Sequence, residues 1–259
     1  MLVDSHCHLD RLDENTSGTI EDILQRARNR GVERFLCIAT SLDGFDDVND
    51  LAKLYQDVYC TAGVHPLQKD PFSVDFQRLV EQAKQPRVVA VGETGLDYYY
   101  SPENADWQKQ SLRLHIQAAR EVSKPLIIHT RDAKEDTMAI LKEEKAEQVG
   151  GVLHCFTESL EMAETAIEMG FYISFSGILT FKTATALREV AARLPIERLL
   201  VETDCPWLAP VPYRGKENQP SYVVEVAQQM ADLFDLSLTD LAKITTQNFY
   251  SLFPICQEK

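Results

Sequence analysis

Six histidines punctuate the 259-residue chain, and five of them, His6, His8, His65, His129 and His154, stand where a short apolar run gives way to polar residues. His6 and His8 lie two positions apart in Asp4-Ser5-His6-Cys7-His8, so in an extended segment their imidazoles face the same way. Two such neutral imidazoles begin a site for a divalent ion once further ligands converge on the same point. Two carboxylates occur in the same setting, Glu93 in Gly92-Glu93-Thr94-Gly95 and Asp204 in Glu202-Thr203-Asp204-Cys205-Pro206.

Each residue has an ordinary alternative. A single histidine after a strand is commonly structural, Glu93 can cap a helix, and Asp204 beside Cys205-Pro206 can form a turn. Taken together, the common placement at strand ends favours chemistry, with only His115 reading as a packed helix histidine. His6, His8, His129 and His154 with Glu93 and Asp204 exceed what one four-coordinate ion requires, so two ions sharing a bridging carboxylate are expected. Glu93, from the middle of the chain order, suits the bridge. The mixed nitrogen and oxygen donors accept zinc, magnesium, manganese, iron or cobalt.

His65 and Arg131 remain once ligands are assigned, and either can hold an anionic oxygen or support the site from behind. Arg214 and Lys216, between Pro212 and Pro220, either add positive charge at the rim or sit on a solvated loop. Tyr98, Tyr99, Tyr100 and Trp207 either stack on bases or pack at loop roots.

Eight short apolar strands must position these residues. They are expected at Met1 to Val3, Phe35 to Ala39, Val58 to Ala62, Val88 to Val91, Leu126 to Ile128, Val152-Leu153, Phe171 to Ser174 and Leu199 to Val201. Amphipathic helices alternate with them, the first opened by Thr19 and Asp22 as a capping box and closed by Gly31. Eight such units over this length predict an α/β fold, a (β/α)8 TIM-type barrel with its metal site at the C-terminal mouth. Residues 1–259 read as one domain, since nothing resembles a linker, a repeat or a low-complexity tract.

The net charge of −14, from 26 basic and 40 acidic residues, excludes the broad basic surface of most nucleic-acid binders, so a polyanionic substrate must be gripped locally. No apolar run approaches the roughly 18 residues of a membrane span, and no leader segment is evident. A cytoplasmic protein without membrane contact or obligate protein partner is expected, with its six cysteines unpaired.

With Asp4-Ser5-His6-Cys7-His8-Leu9, Gly63-Val64-His65-Pro66, Gly92-Glu93-Thr94-Gly95-Leu96-Asp97-Tyr98, His129-Thr130-Arg131, His154-Cys155-Phe156 and Glu202-Thr203-Asp204, the chain resembles the TatD family of metal-dependent hydrolases, and within it the bacterial YcfH-like branch. The resemblance spans nearly the whole chain. His-x-His alone would be shared with the wider amidohydrolase superfamily, which commonly bridges its metals with a modified lysine where this chain has Glu93. Cys205 stands where serine or alanine is more usual. The resemblance implies one ion held by His6, His8, Glu93 and Asp204, and a second by Glu93, His129 and His154. It also implies metal-dependent deoxyribonuclease activity, probing the 3′ end of single-stranded DNA, with Asp204 orienting the attacking water and taking its proton. The same parts would serve a carboxyl ester or amide hydrolase, such as an aminoacyl-tRNA deacylase or a lactonase, or a metal-binding interaction protein without turnover.

Overall fold

The computed structural model describes residues 1–68 and 74–257. Its strands are β1 (Leu2–Cys7), β2 (Val32–Cys37), β3 (Val58–Ala62), β4 (Val88–Asp97), β5 (Leu126–Arg131), β6 (Gly151–Leu153), β7 (Phe171–Phe175) and β8 (Leu199–Val201). They form one parallel sheet in the order of the chain, each strand paired with the next. Helices or helical turns separate every consecutive pair. This is the expected TIM-type architecture, a nearly closed barrel.

Closure between the first and last strands occurs at the mouth. The Asp204 N–H donates to the His6 carbonyl and the His8 N–H to the Cys205 carbonyl, each at 2.9 Å. Below these bonds the buried Asp4 carboxylate accepts from the Thr203 N–H at 2.8 Å and its hydroxyl at 2.6 Å. Burial pushes the Asp4 carboxyl up to about 8, against these hydrogen bonds. Ser5 adds a hydroxyl donor to the Val201 carbonyl at 2.9 Å.

Two apolar layers fill the rest. Val3, Leu36, Val89, Ile127, Val152 and Leu200 pack inside the barrel, and Phe249 and Phe253 from the last helix floor it. Between sheet and helices lies a larger apolar layer that includes Phe35, Val91, Ile128, Leu153 and Phe175. Burying these faces fixes the barrel and leaves polar side chains one exit, the C-terminal mouth.

Local signals behave as read. Thr19 and Asp22 form the capping box that opens the helix Ile20–Arg28, and Ser159 and Ser237 cap Leu160–Glu168 and Leu238–Leu252. All six cysteines are unpaired. Among the described residues, no helix is long and apolar enough to cross a membrane.

β2 spans Val32–Cys37 rather than Phe35 to Ala39, and three other strands run well past their expected ends. β4 runs to Asp97 rather than stopping at Val91, β5 runs to Arg131 rather than Ile128, and β1 runs through His6 to Cys7. Backbone pairing, not apolarity, sets these ends: Gly95 pairs with His129 and Asp97 with Arg131 after a register shift past Val91. Gly92 (φ +146°) and Gly95 (φ +143°) make that shift possible, because a Cβ at Gly95 would collide with the His129 carbonyl oxygen.

Candidate metal centre

β1 brings His6 and His8 to the mouth from one side, and β4 brings Glu93 between them and the histidines of β5 and β6. The Nε2 atoms of His6 and His8 lie 3.2 Å apart. Glu93 Oε2 is 3.4 Å from His6 Nε2 and 3.8 Å from His8 Nε2, while Asp204 Oδ1 is 3.6 and 3.4 Å from the same atoms. A tetrahedral ion bound at about 2.0–2.1 Å would space its ligands about 3.3–3.4 Å apart. These four donors therefore fit one ion.

The other oxygen of the same carboxylate faces a second group. Glu93 Oε1 lies 2.7 Å from His154 Nε2, 3.3 Å from His129 Nδ1 and 3.2 Å from His65 Nε2. His154 Nε2 is buried and makes no aligned hydrogen bond despite that short approach, as a ligand atom aimed at an ion would be. The two oxygens of Glu93 thus face two groups of donors that could hold a metal ion.

The far nitrogen of each histidine decides which proton it keeps. His8 Nδ1 faces the Ile38 carbonyl at 3.2 Å, His129 Nε2 the Asp97 carboxylate at 3.0 Å, and His154 Nδ1 the Glu202 carboxylate at 3.3 Å. All three partners only accept, so in its neutral form each ring places its proton outward and a lone pair inward. His65 is the reverse. Its Nδ1 accepts from the Leu67 N–H at 3.0 Å, which puts the proton on the inward Nε2. His65 therefore presents a donor to the centre, although by distance alone it groups with Glu93 and His129 as a possible ion cradle.

Electrostatics bind the set together. Burial would raise the Glu93 carboxyl, but His154, His65 and His129 hold it well below its ordinary range. Asp204 is likewise lowered against burial by His8, His6 and His154. His154 is raised well above the usual imidazole range against burial by Glu93 and Glu202, and His129 is raised by Asp97 and Glu93. Burial dominates at His6 and His65, which are lowered.

The centre opens into a cavity of about 680 Å³ that His65, Arg131, Tyr100 and Trp207 help to line. Arg214 is not brought there. Its guanidinium carbon lies 3.7 Å from the Phe181 ring centroid and Nη1 donates to the Ala209 carbonyl, so cation–π stacking holds it on the outer loop. Lys216 is exposed beside it. Tyr98 is tied by its hydroxyl to Asp136 at 2.7 Å, the packing alternative. His115 is fully buried, as read, yet its Nε2 accepts the Val64 N–H at 2.9 Å, directly before His65.

Four participants went unread in the sequence. Asp97 and Glu202 orient His129 and His154, Asp4 fastens the closure, and Arg11 lines the cavity. Asp97 and Glu202 do fall in the same motifs as Glu93 and Asp204, four and two positions away, which was the available signal.

Residues 3–254 match the family described as TatD related DNase. The chain belongs to the TatD family. It is similar to the metal-dependent hydrolase YcfH of Escherichia coli (strain K12), with 53% identity over 98% of this chain and 96% of that one. The metal-dependent hydrolase YabD of Bacillus subtilis (strain 168) is 43% identical over 98% of this chain and 100% of its own. Among solved structures, the TatD homologue YjjV of Escherichia coli K12 superposes with a TM-score of 0.91 at 32% identity, covering 98% of both chains. As a TatD-family member the protein is a metal-dependent hydrolase.

Proposed function

We propose that residues 1–259 act as one domain, a deoxyribonuclease that removes nucleotides from the 3′ end of single-stranded DNA in the cytoplasm. The observation that carries the reading is what stands behind each ring: an acceptor faces the far nitrogen of His8, His129 and His154, so their neutral forms turn lone pairs toward Glu93, whereas the Leu67 N–H faces His65, whose neutral form turns a proton. Three lone pairs with two low-lying carboxylates make an ion cradle, and one inward donor beside it suits an anionic oxygen. The unpaired cysteines fit a reducing compartment.

His6, His8, Glu93 and Asp204 would hold one ion, and Glu93, His129 and His154 the other. Two zinc, magnesium or manganese ions, when bound, supply Lewis acidity toward the phosphoryl oxygens and an acidified water. Asp204, held ionised, orients the attacking water and accepts its proton as the new oxygen–phosphorus bond forms. The phosphorus–O3′ bond opens on the opposite side, and the leaving oxygen takes up a proton. His65 Nε2–H and the Arg131 guanidinium hold the non-bridging oxygens. Arg214, farther out, is left to a longer strand.

End-labelled single-stranded DNA incubated with magnesium or manganese tests this, with chelator and Glu93→Ala controls. A metal-dependent ladder shortening from the 3′ end, absent in the variant, is the expected result. An intact strand, with a carboxyl ester or D-aminoacyl-tRNA cleaved instead under the same conditions, would overturn it.

A further inference from the structure

Among the described residues eight large apolar side chains are exposed, and five of them, Leu67, Tyr99, Tyr100, Trp207 and Val211, follow the C-terminal ends of β3, β4 and β8. Leu67, Tyr100 and Trp207 among them line the cavity over the metal centre, and exposed apolar side chains at a groove mark a surface open to a ligand. The aromatic members are not packed away: Trp207 is 52% and Tyr100 61% exposed.

Each aromatic has an arginine on its side of the mouth. Trp207, after β8, stands edge-on to the His8 ring with centroids 5.1 Å apart, and Arg11, in the turn after the neighbouring β1, lines the same cavity. Arg11 is steadied by Asp10 at 2.9 Å and Thr40 at 3.1 Å, which keeps its remaining N–H groups over the cavity. Tyr100, after β4, lies under Arg131 of β5, whose guanidinium carbon is 4.6 Å from its ring centroid and 4.1 Å from that of Tyr99. Arg131 has no carboxylate within 4 Å among the described residues. In a ring of eight strands β8/β1 and β4/β5 are opposite each other, so the cavity over the metal centre is lined by one arginine and one aromatic from each of two opposite sides.

The Trp207 loop is preorganised. Buried Asn218 donates to both the Trp207 and Thr203 carbonyls, at 2.6 and 2.8 Å, which ties the indole to the strand that carries Asp204. A π-face beside a cation is the element that binds single-stranded nucleic acid, the base stacking on the ring and the phosphate taking the charge. A local grip of this kind also answers the net charge of −14, which repels a polyanion everywhere else.

Resting on the phosphodiesterase reading above, we propose that Trp207 with Arg11 and Tyr100 with Arg131 form two nucleotide subsites, one on each side of the scissile bond. The minimal substrate is then a single-stranded dinucleotide unit with a base on both flanks. A base-paired strand cannot offer both bases to these rings, so the pairs select unpaired ends.

The test uses the full-length metal-loaded protein, a short single strand, and the same strand with abasic residues flanking the scissile bond. Cleavage is followed by kcat/KM, and binding of a fluorescent phosphorothioate strand by anisotropy. Trp207→Ala and Tyr100→Ala should each lower kcat/KM on the base-bearing strand about 5- to 100-fold through KM, as loss of one stacked base does. Neither should alter the abasic strand, and Trp207→Phe and Tyr100→Phe should restore most of the loss. Unchanged KM in both alanine variants with intact cleavage would overturn the subsites and leave the phosphodiesterase standing. Binding lost in the variants without any cleavage by the parent would keep the subsites and remove the phosphodiesterase. A parent that neither binds nor cleaves either strand would remove both.

Discussion

Asp97 and Glu202 carry no signal of their own in a single sequence, because a buried acid two or four positions from a ligand reads equally as a turn former. Their roles become visible only when His129 and His154 show which nitrogen faces each acid. Asp97→Asn and Glu202→Gln should each weaken metal binding or activity about 10- to 100-fold, as loss of an orienting carboxylate does. Isothermal titration with zinc, alongside turnover, checks this. His65 divides from the ligands by the same logic. His129→Ala should lower metal content, whereas His65→Ala should keep both ions and lose about 10²- to 10³-fold in kcat, the scale for removing one oxyanion donor. Elemental analysis of the two variants separates the outcomes. The histidines that meet at the mouth were legible because histidine is rare and five of six fell at strand ends. The direction Arg214 takes was not legible, because a charged loop residue carries no mark of which way its side chain folds; it stacks on Phe181, outside the cavity lining.

Elements were legible in kind and order but short at the mouth. The apolar run of β4 ends at Val91, yet the strand continues through Glu93 to Asp97, since backbone pairing to β5 persists where polarity would suggest a loop. Gly95 permits it. Gly95→Ala should cost at least about 2 kcal/mol, because both the positive φ and the His129 carbonyl oppose a side chain there. Urea unfolding monitored by circular dichroism measures that cost. The helix Ala105–Val122 contributes a pH term of its own. Burial lowers His115 to about 4, and its neutral form both donates to Ser111 and accepts from Val64. Because the folded value lies below the unfolded one, near 6.5, the stabilising contribution is complete above about pH 6.5 and is lost as pH falls toward 4. Between pH 7 and 5 it should shrink by about 2 kcal/mol. Denaturation at both pH values should show that loss in the parent and not in His115→Gln.

At the scale of the whole molecule, the strand count, the alternation and the location of the centre followed from apolar periodicity, while the closure did not. β1 and β8 meet through Asp4, Thr203 and two backbone bonds, a junction with no apolar signature. The ligands span that junction, so ion binding should stabilise the entire barrel. Zinc at a hundredfold excess over its Kd should add about 2.7 kcal/mol, a rise of about 5–10 °C in Tm for a chain of this size. Calorimetry with and without chelator measures it, and an unchanged Tm would mean that zinc does not bind the folded chain in preference to the unfolded one.

That junction also sets an order in time. Asp4 and Thr203 are 199 positions apart, an interval of roughly 10–40 s at ordinary rates of synthesis. Throughout it His6 and His8 emerge without Asp204, and no shorter nascent chain owns a complete cradle. A centre that includes Asp204 therefore cannot load before β8 is made, and a ribosome stalled before Asp204 should leave behind no active hydrolase.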